Sequence, residues 1–103
     1  LRYMHICAYN SAMRYEWDEA KRAANLAKHG VDFADAVGAL EDPASLTDED
    51  DADGEARYVT LGAGYTGRVL YVVWTERGTD AIRLISARKA SPGEARQYQE
   101  LQP

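Results

Sequence analysis

The chain has 103 residues, of which 46% are hydrophobic, and its formal net charge is −5. This length suits one small domain with a modest core. No apolar run approaches the roughly 20 residues of a membrane-spanning helix, and the first residues lack the basic and apolar regions of a signal peptide. The single cysteine, Cys7, leaves no internal disulfide and suits the reducing cytoplasm. We therefore expect a small cytoplasmic protein that makes no contact with a membrane.

The negative charge is concentrated in one segment. Six of the 17 acidic residues lie in residues 47–55, whereas residues 57–90 carry six basic and two acidic side chains. We predict that residues 47–55 form a solvated, flexible loop, with contact to a basic partner as the alternative. Because the second half of the chain is cationic, nucleic acid stays open as a ligand despite the overall charge.

Residues 1–12 read unlike the rest of the chain. We predict that they are an extension, which is disordered, an added strand or not native, and that residues 13–103 form a single domain. After a short strand at 14–17, Asp18 is a favourable N-cap for a helix that Gly30 should end. At helical spacing this segment shows a thin apolar stripe of Ala20, Ala24 and Ala27, with Trp17 just before them. Its polar stripe should hold Lys21, Asn25, Lys28 and His29.

A second helix should begin after its cap, Asp32, and end where Pro43 approaches. Its buried face should comprise Phe33, Ala36, Val37 and Leu40. A last helix should begin with the capping signal formed by Ser91 and Glu94. Its inward-facing residues should be Ala95, Tyr98 and Leu101.

Three strands are predicted between these helices, at 57–62, 68–77 and 81–88. The strand at 68–77 is the most apolar, so it should be central and covered by helices on one face. This order predicts an α+β fold, in which a small antiparallel sheet of three to four strands packs with two N-terminal helices and one C-terminal helix.

The sequence carries no strong local catalytic signature. It lacks a phosphate-binding loop, a zinc-protease motif, a CxxC pair and a nucleophile elbow. The two histidines, His5 and His29, are not spaced like metal ligands, so we expect no structural metal. Lys28 and His29 either complement the dipole at the end of the first helix or form a pair for proton transfer or phosphate binding.

Further candidate residues lie on the strands. Four cations occupy the last two strands or their ends: Arg77, Arg83, Arg88 and Lys89. They either form surface ion pairs with Glu76, Asp80 or Glu94, or bind RNA phosphates. In a regular strand, Arg83 and Lys89 would share one face and Arg88 the other. Arg57 either pairs with Glu55 or contacts RNA. The aromatic residues Tyr58, Tyr65, Tyr71 and Trp74 are predicted to lie in the core or on the sheet surface rather than to stack on bases.

Longer stretches then carry a family resemblance. The segments WDEAKR (17–22), NLAKHGV (25–31), GEAR (54–57), GRVL (67–70), YVVWTER (71–77) and IRLISARKA (82–90) follow one another in order. Together with Phe33, the Asp42-Pro43 step and the pair of Glu94 and Tyr98, they resemble the BrnT toxins from residue 13 to about residue 98. The residues before 13 lie outside this pattern.

The resemblance implies a RelE-like fold and a toxin of a bacterial type II toxin–antitoxin system. It implies a metal-independent endoribonuclease that needs no cofactor, cleaves RNA and inhibits translation and growth. A BrnA-type antitoxin would neutralise the toxin and would bind operator DNA, so that the toxin meets DNA only indirectly. A homodimer within a heterotetramer would be the assembly. The alternatives are a non-catalytic RNA- or ribosome-binding module and an inactive relic that acts only as a co-repressor.

For such an enzyme we assign roles as hypotheses. Cleavage requires deprotonation of the 2′-hydroxyl, stabilisation of the pentavalent phosphate and protonation of the 5′-oxygen. Arg77 and Arg88 are predicted to clamp the phosphate, and His29 or Lys28 to transfer the proton. The predicted RNA-binding residues are Arg57, Arg83, Lys89 and Lys21.

Overall fold

The computed structural model describes residues 2–3, 13–50 and 56–102. These residues form the elements β1 (Arg2–Tyr3), β2 (Arg14–Glu16), α1 (Glu19–His29), α2 (Phe33–Glu41), β3 (Leu46–Asp50), β4 (Arg57–Ala63), β5 (Val69–Arg77), β6 (Ala81–Lys89) and α3 (Pro92–Glu100). The prediction of an α+β fold with two N-terminal helices and one C-terminal helix is confirmed. Of the segment predicted to be an extension, Arg2–Tyr3 form a strand, and residues 4–12 lie outside the described residues.

The strands form one mixed sheet in the order β1-β3-β4-β5-β6-β2. Neighbouring strands run antiparallel, except that β2 runs parallel to β6. The prediction of three to four antiparallel strands is therefore wrong in number and in the direction of one edge strand. The reason is that the pairing of β1 with β3 and the parallel pairing of β2 with β6 join residues distant in sequence, which local composition does not reveal.

Strand β3 corrects the prediction of an acidic loop at 47–55. Residues Leu46–Asp50 pair with β4 along their whole length, whereas residues 51–55 lie outside the described residues. Leu46 and Thr47 are buried, and the Thr47 hydroxyl lies 2.8 Å from that of Thr60. Glu49 and Asp50 stay exposed. The strand thus forms because its first residues enter the core while its last carboxylates remain in solvent.

The central strand is β5, as predicted, and α2 packs on one of its faces. Leu70, Val72 and Trp74 alternate toward this face and are buried. The facing helix contributes the predicted residues: Phe33, Ala36 and Leu40 are buried, and Val37 packs partly buried against them. The Trp74 indole nitrogen donates a hydrogen bond to the Thr60 hydroxyl over 2.8 Å. The core is therefore apolar around one satisfied polar cluster.

A β-bulge in β6 decides which side chains share a face. Val73 pairs with Ser86, but Trp74 pairs with Leu84, so Ile85 is the extra residue. As a result Arg83 and Arg88 lie on the same face, opposite Thr75 and Tyr71 respectively. The expectation of opposite faces is wrong, because it assumed a regular strand. We call this face the arginine face, and the face that packs against α2 the helix face.

Helix α1 begins and ends as predicted. Its N-cap is Asp18, and Gly30 closes it in the left-handed conformation with φ 70°. The three alanines of its apolar stripe are exposed, and Asn25 is the only buried residue of the helix. This follows from its position, since α1 runs beside β6 at the edge of the sheet instead of lying flat on the core.

Helix α3 lies on the arginine-face side of the sheet. Its capping box of Ser91 and Glu94 is formed as predicted. No residue of α3 is fully buried, and Leu101, expected to face inward, is 58% exposed because the helix ends one residue earlier. Tyr98 is half-buried, and its hydroxyl donates to the Asp42 carboxylate over 2.5 Å. Helix α3 is thus held against the rest of the fold largely by polar contacts.

Replacing Thr60 by valine should lower the free energy of unfolding by about 1–3 kcal/mol, because the Trp74 N–H loses its acceptor and the Thr47 hydroxyl its partner. Urea unfolding followed by tryptophan fluorescence measures this change. Thr79→Val, at an exposed turn position, is the control and should stay within about 0.5 kcal/mol of the original chain. Equal losses in the two variants would contradict the role of the cluster.

Candidate functional site: a cationic groove between α1 and β6

A groove with a volume of about 290 Å³ lies between α1 and β6. It is lined by Lys21, Ala24, Asn25, Lys28, His29, Ile85 and Ser86. No acidic residue is among them, although the chain as a whole is acidic. We call it the α1–β6 groove. A surface of this charge attracts an anionic ligand.

The basic residues of the groove lie on one side of helix α1 because of their spacing in the sequence. Lys21, Asn25, Lys28 and His29 follow one another at intervals that place them on one side of α1, which is the polar stripe of the sequence prediction. Lys28 and His29 occupy the last turn of the helix, where the negative end of the dipole stabilises positive charge. Lys28 and His29 can therefore complement the helix dipole and also serve in proton transfer or phosphate binding, because the two roles do not exclude each other.

On the β6 side, the bulge supplies the wall of the groove. Ile85 is the extra residue, and Ser86 follows it on the arginine face. Ser86 is not among the site residues predicted from the sequence. Its position between Arg83 and Arg88 was visible in the sequence, but its place in the groove depends on the bulge, for which the sequence carries no clear signal.

Asn25 joins the two sides of the groove. Its side-chain nitrogen donates to the backbone oxygens of Val31 (3.0 Å) and Ala87 (2.8 Å). Its side-chain oxygen accepts from the backbone N–H of Ala87 (3.1 Å). The amide therefore uses both donors and pairs with both backbone groups of one β6 residue.

Arg88 is occupied by a partner on α3. Its guanidinium donates to both carboxylate oxygens of Glu94, over 2.8 and 3.0 Å, and lies 3.9 Å above the ring of Tyr71. The hydrogen bonds from Arg88 hold the pKa of Glu94 below its usual range, and the same contact raises the pKa of Arg88. The ion-pair alternative that the sequence left open is thus present at Arg88.

Arg77 and Arg88 lie at opposite ends of the pair formed by β5 and β6. Arg77 pairs with Ala81, and Arg88 pairs with Tyr71 at the other end of β5. Six residues of strand separate the two positions, which is about 20 Å at the usual rise. The structure therefore does not bring the two residues of the predicted clamp together, and their joint contact with one phosphate stays a prediction.

The remaining predicted RNA-binding residues are spread over the sheet. Arg83 lies on the arginine face, with its Nε 3.5 Å from Glu16, and the Nε of Arg77 lies at the same distance from that carboxylate. Arg57 begins β4 opposite Asp50, and Lys89 is exposed at the end of β6. The groove therefore brings together Lys21, Lys28 and His29. Arg83 and Arg88 lie on either side of Ser86 on the arginine face. Arg57, Arg77 and Lys89 do not line the groove.

Tyr58, Tyr71 and Trp74 lie on the sheet or in the core as predicted, whereas Tyr65 lies in the exposed turn between β4 and β5. Tyr58 stacks on Trp74 with ring centroids 4.5 Å apart, and Tyr71 lies beneath Arg88. Tyr65 is 66% exposed and donates to Glu41. None of these four residues lines the α1–β6 groove.

Two further classes of site were sought in the part of the chain that the structure describes. Within it, no group of three or more histidine, cysteine, aspartate or glutamate side chains is placed to hold a metal ion. Within it, too, no helix has the length and apolar character needed to cross a membrane.

Fold and groove together define a small α+β protein with a cationic site at the edge of a mixed sheet. Residues 17–94 match the family described as "Ribonuclease toxin, BrnT, of type II toxin-antitoxin system". The chain is also similar to the crystal structure of the Brucella abortus ribonuclease toxin BrnT, with 34% identity and a TM-score of 0.63 over 77% of this chain and 97% of that one. No curated protein sequence matches the chain. The chain therefore belongs to the BrnT family of ribonuclease toxins, and membership of a type II toxin–antitoxin system implies an antitoxin partner.

The pairing of Arg88 and Glu94 predicts a pH-dependent stability. Because the folded-state pKa of Glu94 is lowered, its contribution is present above the usual glutamate pKa and is lost as the pH falls through the folded value. Glu94→Gln should therefore lower the free energy of unfolding at pH 7 by up to about 1 kcal/mol, since both side chains are partly exposed.

The difference between the two chains should shrink as the pH falls through the folded-state pKa of Glu94, because protonation removes the charge that distinguishes glutamate from glutamine at this position. Urea unfolding at several pH values measures it. The control is Glu100→Gln, at an exposed position on the same helix, which should show no such trend. A constant difference across the pH range would contradict the ion-pair contribution.

Proposed function

We propose that this protein is a metal-independent endoribonuclease that cleaves RNA at the α1–β6 groove. The single observation that carries the proposal is the meeting of Lys21, Lys28 and His29 in a groove without an acidic lining residue. The family is described as a ribonuclease toxin, which supports RNA as the anionic ligand. The groove combines this positive charge with an imidazole, a side chain that can act in general acid–base catalysis.

The chemistry needs only protein groups and the RNA itself. The 2′-oxygen loses its proton and attacks the adjacent phosphorus, the bond from phosphorus to the 5′-oxygen breaks, and the 5′-oxygen takes a proton. We assign the proton transfers to His29 and Lys28, which lie in neighbouring positions of the last helical turn. Lys21 supplies charge to the phosphate from the same side of the helix.

The arginine face extends the groove into a surface for neighbouring phosphates. Arg83 and Arg88 flank Ser86, which itself lines the groove. We assign Arg83 to RNA binding next to the cleaved phosphate. Arg88 is a weaker candidate for the chemical step than the sequence suggested, since RNA must compete with Glu94 for its guanidinium. Arg57, Arg77 and Lys89 are assigned at most to contacts with more distant phosphates.

The biological setting is proposed from the family resemblance. The antitoxin would be of the BrnA type and would bring the toxin to operator DNA within a heterotetramer built around a dimer. RNA cleavage in the bacterial cytoplasm would then stop translation and growth when antitoxin is lost. A fold like that of RelE stays a prediction.

Incubation of a 5′-labelled single-stranded RNA with the pure protein and a chelator tests the proposal. We expect new RNA ends, and a loss of about 100-fold or more in the rate for Lys28→Ala and for His29→Ala, because each removes a proton-transfer group. The control is Arg96→Ala, which removes an exposed cation from α3 and should keep the rate. A retarded RNA complex without cleavage would instead favour a non-catalytic binding module.

A further inference from the structure

Helix α1 has little apolar attachment to the sheet. Asn25 is its only buried residue, and its largest apolar side chain, Leu26, is 42% exposed. A helix usually owes its orientation to an apolar face packed on a core. Helix α1 carries the cations of the groove but lacks such a face, so another contact must set its rotation.

The edge of β6 provides that contact. Strand β2 pairs with β6 only at Ala81, Ile82 and Arg83. Farther along the same strand, the N–H and the C=O of Ala87 both bond to the side chain of Asn25. The amide thus takes the place of a neighbouring strand at this residue. Because one donor and one acceptor are matched at the same residue, the side chain fixes both the height of α1 along β6 and its rotation.

The three groove cations are the immediate helical neighbours of this anchor. Lys21 precedes Asn25 by one turn, and Lys28 and His29 follow it by one turn. A rotation of the helix about its axis would move all three relative to Ser86. The second bond of the amide nitrogen, to Val31, also ties the end of the helix to the turn that follows it.

We propose that Asn25 is a positioning residue of the RNA site: its side-chain amide, bound to the backbone of Ala87, holds Lys21, Lys28 and His29 against the bulge of β6. Asn25 itself contributes no charge and no proton to the reaction. The inference rests on the proposed function for the identity of the ligand, but the anchoring contact is independent of it.

The test compares Asn25→Ala with Leu46→Ala, a substitution of a buried residue of β3 outside the groove. Both variants are assayed at a temperature at which circular dichroism shows them fully folded. One probe is a 2′-O-methyl RNA dodecamer, which cannot be cleaved and reports affinity alone. The other is the matching unmodified RNA, which gives kcat and KM. Asn25→Ser, which keeps one hydroxyl at the anchor, replaces Asn25→Ala if the latter does not fold.

We expect Asn25→Ala to bind the dodecamer at least fivefold more weakly and to lose at least tenfold in kcat, although no charge has been removed. Leu46→Ala should keep both values within about twofold. Equal behaviour of the two variants, or unchanged affinity in Asn25→Ala and Asn25→Ser, would overturn the positioning role. If the original chain binds but does not cleave RNA, the proposed activity fails, and the affinity measurements still decide the role of Asn25.

Discussion

The edge of a β-sheet presents backbone N–H and C=O groups that must find partners, and this constraint organises the functional side of the molecule. Strand β6 meets β2 over only three residues. At Ala87 the partner is the side chain of Asn25, so a helix is bound to the sheet through a hydrogen-bonded amide. Because the contact is polar, buried and specific in geometry, it gives α1 a defined orientation without an apolar face. The side of α1 near the groove is thereby left available for cations.

The second constraint is the bulge at Ile85. One extra residue places Leu84 and Ala87 both toward the core and Arg83 and Arg88 both away from it. Without it, one of the two arginines would have pointed toward the core, where an unpaired charge is strongly destabilising. The bulge therefore lets β6 be apolar on one side while it offers two cations on the other, and it places Ser86 between them at the groove.

Local signals in the sequence predicted much of the fold and less of the site. The helix caps at Asp18, Gly30 and Ser91 need only neighbouring residues, and the apolar run of β5 identifies a central strand by itself. Strand β3 escaped prediction because three of its five residues are carboxylates, which resemble a solvated loop. The polar stripe of α1 was visible from its spacing, but its partner across the groove depends on the bulge. The clamp of Arg77 and Arg88 stays a prediction, and the two residues lie at opposite ends of one strand pair, a separation that proximity to a strand end in the sequence does not reveal.

Charge placement explains how an acidic chain can offer a site for a polyanion. At physiological salt, exposed charges are largely screened beyond about 8 Å, so the groove responds to its own cations more than to the carboxylates of β3. Carboxylates within about 8 Å of a cation each reduce its attraction for phosphate. Glu94 occupies the guanidinium of Arg88 and Glu16 approaches that of Arg83, so each lowers the attraction of the arginine face for phosphate. Lys21, Lys28 and His29 have no acidic residue beside them in the groove lining. The α1–β6 groove therefore offers a phosphate basic side chains that no lining carboxylate neutralises, and this separates the groove from the more numerous arginines of the sheet.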